Sequence, residues 1–530
     1  NLNVIANEFP LAVSGSVPKN IITILRDVRD LPYKRIVGDN DTNPANVQPS
    51  MLESPPVNAV VTTQNYDANG NLQETIDSIR NAQHSFAPTT LFPGSAAGDV
   101  TRRQYDGFDR LVRIIDGEGN EHATGYDLAS NPIQSTLQGP VDHAATTLSL
   151  LEQTNTTFDE LSRAYQSDSR HFVTKTGVDI GDGHRITQTK YDKDGKVIEV
   201  TDDRGLKSTT QWDTAERKFK TVDQLLNEME YVHDANGNIT SKTRRDISTD
   251  LASGLNTFVT SFEYDGVDRV KKSMDNADDR SEFFFDSRGN TVKTSDSVRG
   301  AGQPTGPGNI VLHDFDALNR NVRTERVLTS NGRGDGAQTG LITTRQAWDD
   351  DSRLVSETDD NNHVTTYGYD GLNRMTGITY ADLTTRTTQF DTDDHLTQWT
   401  DQNGTTVTMS YDGLDRLLGR TLGTHPAFVI GGTFETFGHD GNGRVTHSVN
   451  DDGIMGSMTR DFEYDSLSNR TKDQQGTLSV DSAYDGVSNR TQITYPGQFG
   501  GGRRVLTQSF DNLNRLQSIC DVGANSICDA

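Results

Sequence analysis

From Thr406 to Tyr411 the chain alternates: Val407, Met409 and Tyr411 are apolar or aromatic, and Thr406, Thr408 and Ser410 between them are polar. A period of two is the pattern of a strand with one covered face. The alternation breaks at Asp412-Gly413-Leu414-Asp415-Arg416, where small polar residues predict a tight turn, and Leu417 restarts an extended run. The same order of residues recurs. Trp348-Asp349, Tyr369-Asp370, Phe390-Asp391 and Tyr411-Asp412 stand 21 residues apart, and a fixed period of this kind marks a repeat protein. In each copy the Asp is expected to cap the turn through its side chain. The fifth residue (Ser352, Asn373, Asp394, Asp415) is of the small polar kind that tolerates turn geometry. Two strands of about six residues and two turns of about four fill the period, so the pattern predicts a meander of hairpins.

Aromatic-Asp or His-Asp pairs of this kind number 18, from Tyr66-Asp67 to Phe510-Asp511. Five positions after each ring lies Asn, Arg, Lys or His, a donor that can bond the turn Asp of its own or the adjacent unit. Tyr66 and Asp67, Tyr105, Asp106 and Arg110, Tyr369, Asp370 and Arg374, and Tyr411, Asp412 and Arg416 represent this structural repeat. The array is expected over residues 60–518, after an arm at 1–59 without such units and before a tail at 519–530. The arm is expected to start a sheet, plug an end or reach a neighbouring molecule. Longer gaps precede Tyr105, Phe158, Tyr191, Tyr264, Phe315, Trp348, His439, Tyr464 and Phe510. Insertions in repeat proteins collect in loops on one side, which makes these loops the first place to look for specific contacts.

Composition narrows the picture further. Hydrophobic residues are 32% of the 530, and adding the 48 glycines still falls short of the about 45–50% of ordinary globular domains. A thin sheet with one modestly apolar face reconciles scarce apolar residues with regular alternation. The net charge of −26 disfavours nucleic acid and anionic lipid as partners. No stretch approaches the about 18 apolar residues of a membrane helix, so no membrane insertion is expected. The chain begins with Asn1 and no signal segment, consistent with a processed or partial piece.

The segments YDANGNL (66–72), YDGFDRL (105–111), YDGLNRM (369–375) and YDGLDRL (411–417) resemble the YD-repeat, or RHS-repeat, family, and the resemblance runs from about Tyr66 to Leu516. That family includes bacterial polymorphic toxins, insecticidal toxin complexes and the extracellular region of teneurins. The resemblance implies an all-β, single-layer antiparallel sheet that spirals into a hollow shell, barrel or tube, and a container or scaffold in place of a catalyst. The chain departs from the toxin pattern in having no Asp-Pro pair, so neither the self-cleaving core motif nor a payload is visible. Eighteen units give roughly 36 strands, few for a large closed shell, so open strand edges are expected, and such edges template pairing with another chain.

No nucleophile with its base, HExxH pair or phosphate loop occurs, and neither enzyme activity nor a cofactor is expected. Asp-rich turns such as Asp67 to Asn71, Asp192 to Gly195 and Asp391 to Asp394 lack the Gly and Glu positions of a calcium loop, and inter-strand turns account for them. Arg333-Gly334-Asp335 spells an integrin tripeptide, and Asn155, Asn238, Asn403, Asn469 and Asn489 lie in glycosylation sequons. Chance is the better account of both. Rings on one face could stack on a surface glycan, but their regularity favours a packing role. Cys520 and Cys528, the only cysteines, could form a disulfide or remain two thiols. The expectation is a non-catalytic, secreted or cell-surface shell region that encloses or displays another segment, its partners being its own further domains, an enclosed polypeptide or other copies of itself. The alternative is a self-assembling extracellular fibre or adhesin.

Overall fold

In the computed structural model the described residues are 3–8, 21–26, 29, 31–39, 60–77, 99–247, 256–276, 278–297, 308–332, 336–391, 393–425, 432–451, 456–497, 502–522 and 528–529. Among them are 40 strands, from β1 (Asn3–Glu8) to β40 (Cys528–Asp529), and no helix. All belong to one antiparallel sheet in which each strand pairs with the next in sequence, a pure meander. β1 and β40 are its two edges, and the sheet does not close.

The repeat array supplies most of this. The first unit is β4 (Val60–Tyr66) and β5 (Leu72–Asp77), and the last is β38 (Val505–Phe510) and β39 (Leu516–Asp521). Beyond the array, β1, β2 (Ile21–Arg26) and β3 (Pro32–Asp39) extend the same meander into β4. At the other end, β40 pairs with β39 and sets Cys520 opposite Cys528, and Cys520 is disulfide-bonded. Arg333-Gly334-Asp335 lies outside the described residues.

Every hairpin has two kinds of turn, which define the two long margins of the sheet. The turns that follow a repeat ring form the ring margin, and the return turns form the plain margin. Successive strands meet only side by side, so a flat meander of this kind would have no core. The described residues contain just five buried apolar side chains, Val100, Leu137, Leu151, Phe172 and Ile493. The six largest fully buried side chains are Phe172, Leu151, His171, Asn120, Asp440 and Asp465, four of them polar or charged. They cluster in one place, where the sheet coils back and rests on itself.

Candidate functional site: the repeat turn and the seam between coils

The repeat turn explains its own sequence. In the unit at Tyr105, Asp106 Oδ1 accepts the Phe108 amide at 2.9 Å and the Arg110 amide at 3.1 Å, while Oδ2 accepts Arg110 Nε at 2.7 Å. The Asp109 amide donates to the Asp106 carbonyl at 3.1 Å, closing a tight turn. Asp109 has φ 57°, and Asn373, Asp394, Asp415 and Ser352 sit at φ 63–68°. Asn, Asp and Ser suit this left-handed position because a short polar side chain there can bond the nearby backbone. A one-residue register shift falls just before each ring, as between Gly368 and Tyr369 and between Ser410 and Tyr411. It has the form of a tight turn closed by a bulge, which lets three-residue loops join twisted strands.

Each unit also grips the next. Arg110 Nη1 donates to the Asp127 carbonyl at 2.8 Å, and the guanidinium lies 4.8 Å from the Tyr126 ring centre. The Tyr126 hydroxyl donates back to the Leu111 carbonyl at 2.9 Å. Arg374 repeats this with Asp391 and the Phe390 ring, and the Tyr369 and Tyr411 hydroxyls return to Leu354 and Leu396. Arg416 Nη1 reaches the Asp440 carbonyl at 2.9 Å, and the Tyr66 hydroxyl donates to Pro32 in β3. Asn takes the Arg position at Asn71, Asn469 and Asn489, where the side-chain amide bonds the turn Asp. A cation lies over seven of the repeat rings, Tyr126, Tyr191, Trp212, Phe285, Tyr369, Phe390 and Tyr464, and no successive pair of repeat rings stacks among the described residues. Hydrogen bonds and the Arg hold the Asp106, Asp159 and Asp265 side chains below the usual carboxylate range, with the Arg side-chain bond the leading cause.

Asp391, Asp393 and His395 bring three possible metal-ligand atoms within 4.8 Å of one another. The His395 nitrogens already face Asp391 at 3.0 Å and Asp415 at 3.1 Å, and its ring stacks on Tyr411 at 4.4 Å. His395 thus fills the place that Arg holds in other units.

The second feature is the seam. Hydrogen bonds join residues 288 to 308 positions apart, so the sheet returns over itself after about 300 residues. At every such contact the plain margin of the first coil meets the ring margin of the second. The Gly441 amide donates to the Pro140 carbonyl at 2.9 Å, and His143 stacks on His447 at 4.1 Å. At the end of β11 (Ala164–Phe172), the Ser466 amide donates to the Phe172 carbonyl at 2.8 Å and the Phe172 amide to Ser466 Oγ at 2.9 Å. Val173 and Asp465 form an isolated bridge, adding a short sheet contact across the coils. Further round, Arg204 Nη2 donates to the Asn512 carbonyl at 3.0 Å.

His171 Nε2 lies 3.1 Å from Asp465 Oδ2, with 2% and 0% of the two side chains exposed. Asp465 is also the cap of its own turn, accepting the Leu467 and Asn469 amides and the Asn469 side chain. A buried acid therefore serves the turn and the seam at once. Glycine makes the approach possible: a Cβ on Gly139 would stand 2.7 Å from the Gly441 Cα and from Asn120 Oδ1. Burial and the neighbouring His447 hold the His143 imidazole below its ordinary range, and burial followed by Arg416 does the same to His439. Half-buried Glu118 is pushed up, first by desolvation and then by Asp412.

Sequence reading found the repeat turn and missed the seam residues, whose partners lie far away along the chain. One signal did point there. The long gaps before Phe158 and Tyr191 are the loops that carry His143 and Thr174 onto the second coil. The plain turns also reuse the Asp cap without a ring, at Asp116, Asp202, Asp223, Asp359 and Asp401.

Residues 348–385 and 390–425 match the family model described as RHS Repeat. No curated protein sequence is similar to the chain. Among solved structures, TcdB2-TccC3 without its hypervariable C-terminal region superposes with a TM-score of 0.68 at 13% identity, covering 96% of this chain. The Photorhabdus luminescens Tc holotoxin pore carrying a TccC3 mutation gives 0.69, also at 13% identity and 96% coverage. The chain spans 29% of each of those chains.

Proposed function

As an RHS-repeat protein whose sheet has the fold of Tc-toxin components, this chain, we propose, is a wall segment that encloses or displays another polypeptide segment and performs no chemistry itself. The seam is the observation that carries this reading. A meander that served only as a spacer would need no contact between its coils, whereas a wall must seal the gap between one coil and the next. Here that gap is filled by the largest fully buried side chains among the described residues, with Gly139 and Gly441 in near contact. Arginines lie over six of the repeat rings, among them Tyr126 and Phe390, on faces that a glycan would need, which favours the wall over the sugar-binding alternative. An extracellular or cell-surface location fits the bonded Cys520, because disulfides persist in oxidising compartments.

The test is limited proteolysis of the whole gene product that carries this chain. An enclosed segment would resist a protease as long as the seam is shut and become cleavable in Gly441→Val. A product with no protected segment in the wild type would refute enclosure. Recovery from the culture medium, against the cell interior, checks the location.

A further inference from the structure

The ring margin can be compared with itself, covered and uncovered. In the second coil the seam covers it, and the apolar residues at the turn tips, Leu414, Leu467, Val487 and Leu513, are only partly exposed. In the first coil the same repeat position holds Phe108, Leu161, Val267 and Leu318, exposed by 77%, 68%, 68% and 62%. Burying large apolar side chains is favourable, so these exposed tips are a local reason for association.

Glycine tells the same story. Gly441 and Gly486 occupy the position after the turn Asp, and a Cβ on either would collide with the coil above, at Gly139 or at Asp203. Gly107 and Gly266 hold the same position in the first coil, where a Cβ would meet nothing within 4 Å. The backbone agrees. The Gly441 and Ser466 amides donate across the seam, while no acceptor for the equivalent Gly107, Glu160 and Gly266 amides occurs among the described residues.

The complementary surface is present on this same chain. The plain margin beyond the seam carries Leu226 and Leu383, 64% and 81% exposed. Among the described residues, both halves of an interface already formed once within the molecule thus stand unpartnered on opposite margins.

We propose that the uncovered ring margin of the first coil docks the plain margin of a second copy of this chain, continuing the internal seam from one molecule to the next. The contact is heterologous, so each copy keeps one margin free and assembly continues past a dimer. It holds whether or not the wall encloses anything.

Sedimentation velocity over a concentration series tests it. The wild type is expected to grow past dimer as concentration rises. The ring-margin variant Phe108→Asp/Leu161→Asp/Val267→Asp and the plain-margin variant Leu226→Asp/Leu383→Asp should each sediment as monomers with unchanged circular dichroism, because the altered side chains are exposed. Mixed in equal amounts, they should stop at a dimer, since only one live margin remains on each. A wild type that stays monomeric at its highest soluble concentration overturns the proposal, as does a ring-margin variant that still associates.

Discussion

The turn at Tyr105 and the turn at His439 have the same local structure in opposite surroundings. Asp106 and Arg110 pair at 2.7 Å with about a fifth to a quarter of each side chain exposed, whereas Asp440 and Arg444 pair at the same 2.7 Å with 0% and 10% exposed. The capping bonds are alike to within about 0.2 Å. Turn geometry is therefore set by six residues, and burial is set by whether another coil lies above. Asp440 is tolerable in that dry position because its cap, its Arg and the turn amides satisfy it fully, as a buried charge requires.

The largest effect is expected where one residue serves both levels. Asp465→Ala removes the cap and leaves His171 buried without its partner, a loss of about 3 kcal/mol or more. Asp265→Ala, in an uncovered turn, removes the cap alone. Urea unfolding should show a clearly larger midpoint drop for Asp465→Ala, and equal drops would mean that the seam adds nothing. Next comes close packing. Gly441→Val forces side chains into the Gly139 backbone and should cost about 1–3 kcal/mol, with faster hydrogen exchange at 139–143 and 438–447. Gly107→Val meets open space and should leave exchange in the rest of the sheet unchanged.

Acid should separate the two regions by pH. His143 and His439 titrate below their ordinary value when folded, so the opened seam binds protons more readily. Their contribution is complete above the ordinary histidine range, near pH 6.5, and is lost as pH falls below it. Glu118, raised by burial, runs the other way: it favours the closed seam as pH falls through its folded value, partly offsetting the histidines. The turn carboxylates Asp106, Asp159 and Asp265 are lowered, so their contribution survives until pH falls below the ordinary Asp value of 3.8. Between about pH 6 and 4 the seam should loosen while the turns persist, seen as exchange rising at 139–143 before it rises at 106–110. In Glu118→Gln the loosening should be steeper.

The smallest effects belong to single links. Arg374→Lys loses the Nε bond to Asp370 and the bond to the Asp391 carbonyl, and a loss of about 0.5–1 kcal/mol is expected from thermal unfolding. Lys207→Ala, which removes an exposed side chain paired with Glu199, should produce no measurable change.

Much of this molecule was legible along the chain. The alternation at Val407, Met409 and Tyr411 gave β30 (Thr406–Tyr411), and the 18 aromatic-Asp or His-Asp pairs account for 36 of the 40 strands, from β4 to β39. The left-handed residue at Asn373 and the donor at Arg374 were readable because a capped turn satisfies its own bonds within six residues. The plain turns were harder to see, since Asp116 and Asp202 cap them without an aromatic flag. Nothing local marks His171, Asn120 or Gly441 as special. Their environment is created by residues about 300 positions away, and the distance depends on twist and coiling summed over more than twenty strands, each step too small to read from any one of them.

The hairpin, its turn, its cap and the link from each unit to the next follow from residues close together along the chain, because each is a short-range contest that backbone and side-chain hydrogen bonds decide. Which turns are dry and which face solvent, where the small core lies, and which margins remain uncovered are set by the coiling of the whole sheet. Those depend on the pitch at which the sheet returns to itself, and pitch is a property of the whole coil.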